Sequence, residues 1–351
     1  MSISTTFAIP GDINTPTGGY IFEKQLLLGL RRIGVETTHL QLPGGFPDPT
    51  SSHMTETVRA LTELDADQPV ILDGFLPGCV PPEQLKTMRA PFVSVTHHPL
   101  CYETGIDPER ARYLRDVETA NLTRAAHVIV PSPHTADMLI QDFDVPETRV
   151  TVALPGVKRP RKRSTPAPGK FEILCVGQLV PRKGHEVFLS ALTMLRDLDW
   201  NATIIGRETD ASYGWSLRDL TEQRGIADRV QFKGHVTQEE LAEYYERASV
   251  FALATRYEGY GMVFAEAMVH GLPIVTCDGG AVPDTVPRDA GVIVPVDDDT
   301  AFAEALRNLL INKSLRREMA EVSARHGRAL PDWDTTAKIV KDVLEKVAIQ
   351  S

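Results

Sequence analysis

Very little in this chain is concentrated. Cysteine is scarce: Cys79, Cys101, Cys175 and Cys277 lie far apart in 351 residues, without paired spacing. That excludes a disulfide framework or a cysteine-ligated zinc module, and the four read as reduced, buried small residues of a cytosolic protein. Positive charge is in deficit, with a net charge of -10 at pH 7. A general nucleic-acid binder needs a basic surface for the phosphate backbone, so that class is set aside, although a local basic pocket is not. No apolar run approaches the ~20 residues of a membrane span. The opening Met-Ser-Ile-Ser-Thr-Thr lacks the basic-then-apolar order of a signal peptide. The expected setting is cytoplasmic, with a peripheral visit to the inner face of a membrane left open. What is present, 42% hydrophobic and 24% charged residues, is ordinary for a globular protein. The length suits two domains.

The pattern alternates strand and helix twice. In the first half, strands are expected over Thr6–Ile9, Val35–Leu42, Pro69–Asp73, Pro91–Thr96, His127–Pro131 and Val150–Val152. Helices are expected over Ile21–Ile33, Thr55–Leu64, Pro81–Met88, Pro108–Ala126 and Ser132–Phe143, the last capped by Ser132 with Pro133 following. Residues 158–170 then carry Lys158, Arg159, Arg161, Lys162 and Arg163 among three prolines, with no apolar pattern. They read as a linker. The rhythm restarts with strands at Phe171–Val176, Ala202–Gly206, Val230–Lys233, Ala248–Leu253, Pro273–Thr276 and Val292–Val294. Asp334–Val347 is an amphipathic helix at the end. The fold class is α/β: two doubly wound, Rossmann-like domains facing across a cleft, with ligand at the C-terminal ends of the strands. The expected boundaries are 1–160, a linker over 161–170, a second domain over 171–328, and 329–351 returning to the first domain.

The chemistry gathers at turns that follow strands. Tyr257–Glu266 passes from strand to glycine turn to helix, so Gly259, Tyr260, Gly261, Met262 and Val263 bring unpaired N–H groups and a helix N-terminus to one place. Such a place binds phosphate. Glu258 and Glu266 flank it. Carboxylates repel phosphate and accept hydrogen bonds, so sugar hydroxyls are their natural partners. Alone, a Gly-x-Gly followed by Glu is more simply an ordinary turn with two solvated acids. A second strand–turn–helix element ends in Arg182 and Lys183, cations able to neutralise a diphosphate; a plain basic turn is the alternative. In the first half, Gly18 and Gly19 open a helix after a strand. His97 and His98 close another strand, where at most one of two adjacent side chains faces a given ligand. One packed and one solvated histidine is the simpler reading. The arginines of the 108–126 helix read as a solvated face.

Gly177-Gln178-Leu179-Val180-Pro181-Arg182-Lys183-Gly184, then Glu258 through Met268, then His270-Gly271-Leu272-Pro273-Ile274-Val275, resemble the family 4 retaining glycosyltransferases of GT-B fold. Glu258 and Glu266 match that family's paired-glutamate motif, and Gly18-Gly19 with the strand-end histidines extend the likeness to the first half. The resemblance implies a nucleotide-sugar donor, a UDP- or GDP-sugar, held mainly by the second domain. Glu266 would take the ribose hydroxyls and Glu258 those of the transferred sugar. The backbone at Gly261, Met262 and Val263 would bind diphosphate or sugar. Arg182 and Lys183 would offset charge on the leaving diphosphate. His97, with His98 as second choice, would meet the donor sugar, Gly18 and Gly19 would approach diphosphate or acceptor, and Gly234–Val236 would lie near the base. One departure is Gln178, where family members commonly carry arginine; Arg182 or Arg207 would then cover for it.

The expected activity is hexosyl transfer with retention to a hydroxyl acceptor: saccharide, lipid or small molecule. No cofactor or metal is expected, because no Asp-x-Asp site that would hold one is recognised. Nucleic acid is not an expected partner. A phosphorylase- or epimerase-like enzyme on the same fold, or a non-catalytic nucleotide-sugar binding module, are the alternatives. The first lacks a convincing pyridoxal phosphate lysine, and the intact Glu258, Glu266 and Lys183 argue against the second.

Overall fold

The computed structural model describes residues 3–103, 105–160 and 171–350. It divides into two compact units: residues 1–156 with 331–351, and residues 157–330. The stretch read as a linker, 161–170, lies outside the described residues.

The first unit begins with β1 (Ser4–Pro10), α1 (Gly18–Arg32), β2 (Glu36–Leu42), α2 (Ser51–Thr62) and β3 (Val70–Asp73). It continues with α3 (Phe75–Cys79), α4 (Pro82–Leu85), β4 (Phe92–Val95), α5 (Pro108–Leu122), β5 (His127–Val130), α6 (Pro133–Asp142) and β6 (Val150–Val152). The strands form one parallel sheet in the order β2-β1-β3-β4-β5-β6. Helix starts follow local chemistry. The Asp107 side chain accepts the Glu109 and Arg110 N–H groups ahead of α5, with Pro108 in the first turn, and Ser132 accepts from Thr135 ahead of α6. The expected helix at Pro81–Met88 is only the single turn α4, and α3 has no counterpart among the expected helices because Pro77 and Gly78 interrupt its apolar pattern. Of the arginines expected on one helix, Arg112 on α5 and Arg124 just past its end are exposed, while Arg110 pairs with Asp48 at 2.8 Å and Arg115 lies over the Tyr102 ring.

The second unit runs β7 (Phe171–Val176), α7 (His185–Thr193), β8 (Trp200–Ile205), α8 (Ala211–Gln223), β9 (Val230–Gly234), α9 (Gln238–Arg247) and β10 (Val250–Leu253). Then come α10 (Met262–His270), β11 (Ile274–Cys277), α11 (Val282–Thr285), β12 (Gly291–Val294), α12 (Asp299–Ile311) and α13 (Lys313–Ala329). Its parallel sheet has the order β12-β11-β10-β7-β8-β9. Strands β10 and β11 are buried throughout, which is why β10 reads as an unbroken apolar run rather than an alternating one. Arg159, read as part of the basic linker, donates to the carbonyls of Gly327 (2.5 Å), Arg328 (3.2 Å) and Leu330 (2.6 Å).

The last helix, α14 (Trp333–Gln350), packs on α1 of the first unit. Gly29 makes this possible: a Cβ there would stand 3.0 Å from the Ala337 Cβ and the Trp333 carbonyl. Phe22 meets Trp333 edge to face at 5.5 Å, Thr336 donates to the Leu154 carbonyl at 2.7 Å, and Arg32 pairs with Asp334 at 2.7 Å. Among the described residues no helix is long and apolar enough to cross a membrane.

Candidate active site

A doubly wound sheet opens a crevice where its strand order reverses. In the second unit the chain runs β7, β8, β9 outward, then returns to place β10 on the other side of β7. The loops after β7 and β10 therefore flank the reversal, and these are the loops that carry Arg182-Lys183 and Glu258–Gly261. After β7, residues 181–183 form a single 3-10 turn ending at Gly184, whose φ of 59° is left-handed. A side chain at Gly184 would overlap the Ala254 carbonyl, so glycine here lets the two loops touch. His185, fully buried, donates from Nε2 to the Gln178 carbonyl at 2.9 Å and fixes the base of the turn. Burial holds its pKa at about 4, so it is a neutral donor.

The two loops are laced by main-chain and side-chain bonds. The Arg182 carbonyl accepts the Arg256 N–H at 2.8 Å, and the Arg182 guanidinium donates to the Tyr257 carbonyl at 2.9 Å. Lys183 Nζ lies 2.6 Å from Glu258 Oε1, and Arg182 Nη1 is 3.8 Å from Glu258 Oε2. Glu258 is 6% exposed. Burial pushes its pKa up, but Lys183 and then Arg182 outweigh burial and hold it below the ordinary carboxylate value. Burial pulls Lys183 down while Glu258 opposes it. The group is an ion pair with one carboxylate between two cations.

The glycine turn at 277–281, to which sequence reasoning gave no role, supports this carboxylate. Glu258 accepts the Ala281 N–H at 2.8 Å through its carbonyl and bridges to Gly280. Gly280 has φ 61°, and a Cβ there would collide with the Glu258 carbonyl. Arg256 adds ion pairs at 2.7 Å to Glu186 and to Asp297.

Helix α10 starts at Met262 behind Gly261, which is left-handed at φ 86°. A Cβ on Gly261 would come within 2.5 Å of the Phe264 ring. The N–H groups of the first turn thus open beside Glu258, an arrangement able to hold an anion. Gly271 closes the helix in the left-handed conformation that favours glycine. Tyr260 is buried, its hydroxyl without a hydrogen-bond partner among the described residues, and its carbonyl accepts from Thr285 at 2.6 Å. Glu266, one turn into the helix, is half-buried and accepts from Tyr245 at 2.9 Å. Burial lifts its pKa to about 7, against the pull of the Tyr245 hydroxyl. Gln178 contributes its carbonyl to His185. Arg207 is exposed, its carbonyl accepting the Leu179 N–H at 2.9 Å, so it flanks the Gln178 turn. Val236 follows β9 and packs partly against the core.

The first unit reverses between β1 and β3. Gly18 and Gly19 form the first turn of α1 behind Thr17. A Cβ on Gly19 would sit 3.3 Å from the His97 ring, so Gly19 seats the histidine. Beneath His97 lie two carboxyls that the sequence did not single out, Glu23 (0% exposed) and Asp73 (4%). His97 Nε2 is 3.7 Å from Glu23 Oε1. Burial raises Glu23 to about 7 and Asp73 well above its ordinary value, where Glu23 adds repulsion. His98 instead turns to Glu103 at 3.2 Å.

The model described as "Glycosyltransferase Family 4" matches residues 26–159, and that described as "Glycosyl transferases group 1" matches 157–326. The chain belongs to the family 4 glycosyltransferases. A D-inositol 3-phosphate glycosyltransferase of Paenarthrobacter aurescens is 29% identical over 255 residues, 68% of this chain and 62% of that protein. A GDP-mannose-dependent alpha-(1-6)-phosphatidylinositol monomannoside mannosyltransferase of Mycobacterium tuberculosis is 33% identical over 181 residues, 49% of this chain and 46% of the relative. The chain thus spans about half to three-fifths of the length of these family members. A sucrose-phosphate synthase of Thermosynechococcus elongatus covers 99% of the chain and 100% of its own, with TM-score 0.84 and 22% identity. An Anabaena protein solved in complex with UDP-glucose covers 98% and 100%, with TM-score 0.79 and 15% identity. The fold of this family 4 member is therefore GT-B.

Proposed function

We propose that the chain transfers a hexosyl group from a UDP- or GDP-sugar to a hydroxyl acceptor, with retention and without a metal. The observation that carries this reading is the cluster Lys183–Glu258–Arg182 beside the N-terminus of α10 at the strand-order reversal. Similarity to a GDP-mannose-dependent mannosyltransferase, and a structural neighbour solved with UDP-glucose, support a nucleotide-sugar donor.

In this reading the bond between the anomeric carbon and the diphosphate oxygen breaks, and the acceptor oxygen bonds to the same face of that carbon. The acceptor proton passes to the leaving phosphate. Charge builds on that phosphate in the transition state. Lys183, Arg182 and the α10 N–H groups are already arranged to stabilise it, which is electrostatic catalysis by preorganisation. These cations do the work a metal would do elsewhere. Glu258, kept ionised by them, accepts from hydroxyls of the transferred sugar, and Glu266 accepts from the ribose. The first unit, with His97 over Gly19, serves as the acceptor-side unit.

Purified protein incubated with UDP- and GDP-hexoses, with and without a chelator, tests this reading. Release of UDP or GDP undiminished by chelator, and an anomeric signal that keeps the donor's configuration, are the expected results. If neither nucleotide binds, the second unit has been misread; abolition by chelator would overturn metal independence alone.

A further inference from the structure

Tyr245 is the buried residue of α9, an otherwise polar helix. It is 2% exposed. Its ring stacks on His270 at 5.0 Å and 15°, and on Phe251 at 6.0 Å and 25°. A phenylalanine would fill that slot equally well. The hydroxyl is what the packing does not explain, and it donates to Glu266 Oε2 at 2.9 Å. The other oxygen, Oε1, makes no hydrogen bond to any described residue, and Glu266 is only partly buried.

We propose that Tyr245 is a positioning residue that locks Oε2 of Glu266 and thereby turns Oε1 toward the vicinal hydroxyls of a ribose. This rests on the donor reading given above. A carboxylate at the end of a glutamate side chain rotates almost freely about its last bond. One hydrogen bond from a rigid, stacked phenol removes that freedom before ligand arrives, and preorganisation of this kind raises affinity.

The surroundings leave this role to Tyr245. Glu258 has two cations, whereas burial and the Tyr245 hydrogen bond are what set the Glu266 charge. Helix α13 faces α10 with Ala320, Ser323, Ala324 and Gly327, none of them titratable. The other titratable neighbours of Tyr245 are His270, held at about 4 by burial, and the Cys175 thiol, held at about 12. Both are neutral at pH 7. The phenol is therefore the group that favours the ionised carboxylate.

Calorimetric titration of UDP and GDP, and of their 2′,3′-dideoxy analogues, into wild type, Tyr245→Phe, Glu266→Gln and the double variant separates the outcomes. Tyr245→Phe should weaken the preferred ribonucleotide about tenfold near neutral pH, the scale of a lost charged hydrogen bond. The loss should shrink at higher pH, where Glu266 ionises unaided, and the dideoxy analogue should be unaffected. In the Glu266→Gln background, Tyr245→Phe should cost nothing further. Equal weakening of ribo- and dideoxynucleotides, or an undiminished loss in the Glu266→Gln background, would overturn the proposal by making Tyr245 purely structural. Wild type that binds neither nucleotide would overturn the donor reading itself.

Discussion

Lys183 Nζ stands 2.6 Å from Glu258 Oε1, although 75 residues separate them in the chain. Both side chains are largely withdrawn from water, so each depends on the other. Lys183→Ala removes the nearer cation and leaves the carboxylate with Arg182 at 3.8 Å. Breaking a buried pair of this kind costs on the order of 3 kcal/mol, while replacing both partners by neutral groups is far cheaper. Urea unfolding should therefore show Lys183→Ala clearly destabilised and Lys183→Met/Glu258→Gln close to wild type. Turnover should fall roughly a hundredfold or more in both. A double variant that is both stable and active would show the pair to be structural only.

Acid should attack the same pair. Glu258 in the folded chain titrates below its ordinary 4.5, so its stabilising contribution is complete above that value. The contribution is lost as pH falls from 4.5 through the folded-state value. Comparing melting temperatures of wild type and Glu258→Gln across that range should show the wild type declining more steeply. Parallel acid limbs would count against the ionised assignment.

Glu23 should behave in the opposite sense. Its folded pKa of about 7 lies above the ordinary 4.5. Folding therefore favours the protonated form, and the group costs nothing below 4.5, progressively more between 4.5 and 7, and its full amount above 7. Glu23→Gln removes that cost, which is on the order of 3 kcal/mol for such a shift. The variant should melt higher than wild type at about pH 8 and match it at about pH 4. A variant less stable at both would show that the carboxylate makes a contact beyond those described.

Gly280→Ala should impair catalysis while leaving every charged group in place. Its φ of 61° and its contact with the Glu258 carbonyl both exclude a methyl group. The left-handed conformation alone costs about 1–2 kcal/mol for a residue with a side chain, and relief of the clash displaces Glu258. The expected outcome is a kcat reduced at least tenfold, with the fold intact by circular dichroism. Unchanged kcat would mean that the position of Glu258 is not critical.

The local elements were legible because their causes are local. The unbroken apolar run of β10, the glycines at 261 and 271, and the Ser132-Pro133 helix start each state their structure within a few residues. Glu258 and the Arg182-Lys183 turn could be nominated for the same reason. Their pairing could not be read, since it follows from the order β10-β7 in the sheet, which only the packed core decides. Tyr245 resembled any aromatic on an amphipathic helix until its hydroxyl had a partner. Nothing in the local sequence marks Glu23 as buried, and nothing nearby in sequence announces Asp73. The one-turn helix α3 escaped because five residues containing proline and glycine carry no period.

The return of α14 to α1 makes the first unit a broken sentence, with the whole of residues 157–330 spoken in the middle. Because α14 follows residues 157–330 in the chain, the first unit cannot finish folding until the second has been synthesised, whereas the second can close around its own sheet beforehand. The second unit is in effect a cassette with two splice points, at Gly156–Val157 and Leu330–Pro331. Exchanging it for that of another family member would require both junctions to be cut. A fusion made at the first alone would bring a foreign helix to α1, where Gly29 admits only a residue as small as Ala337.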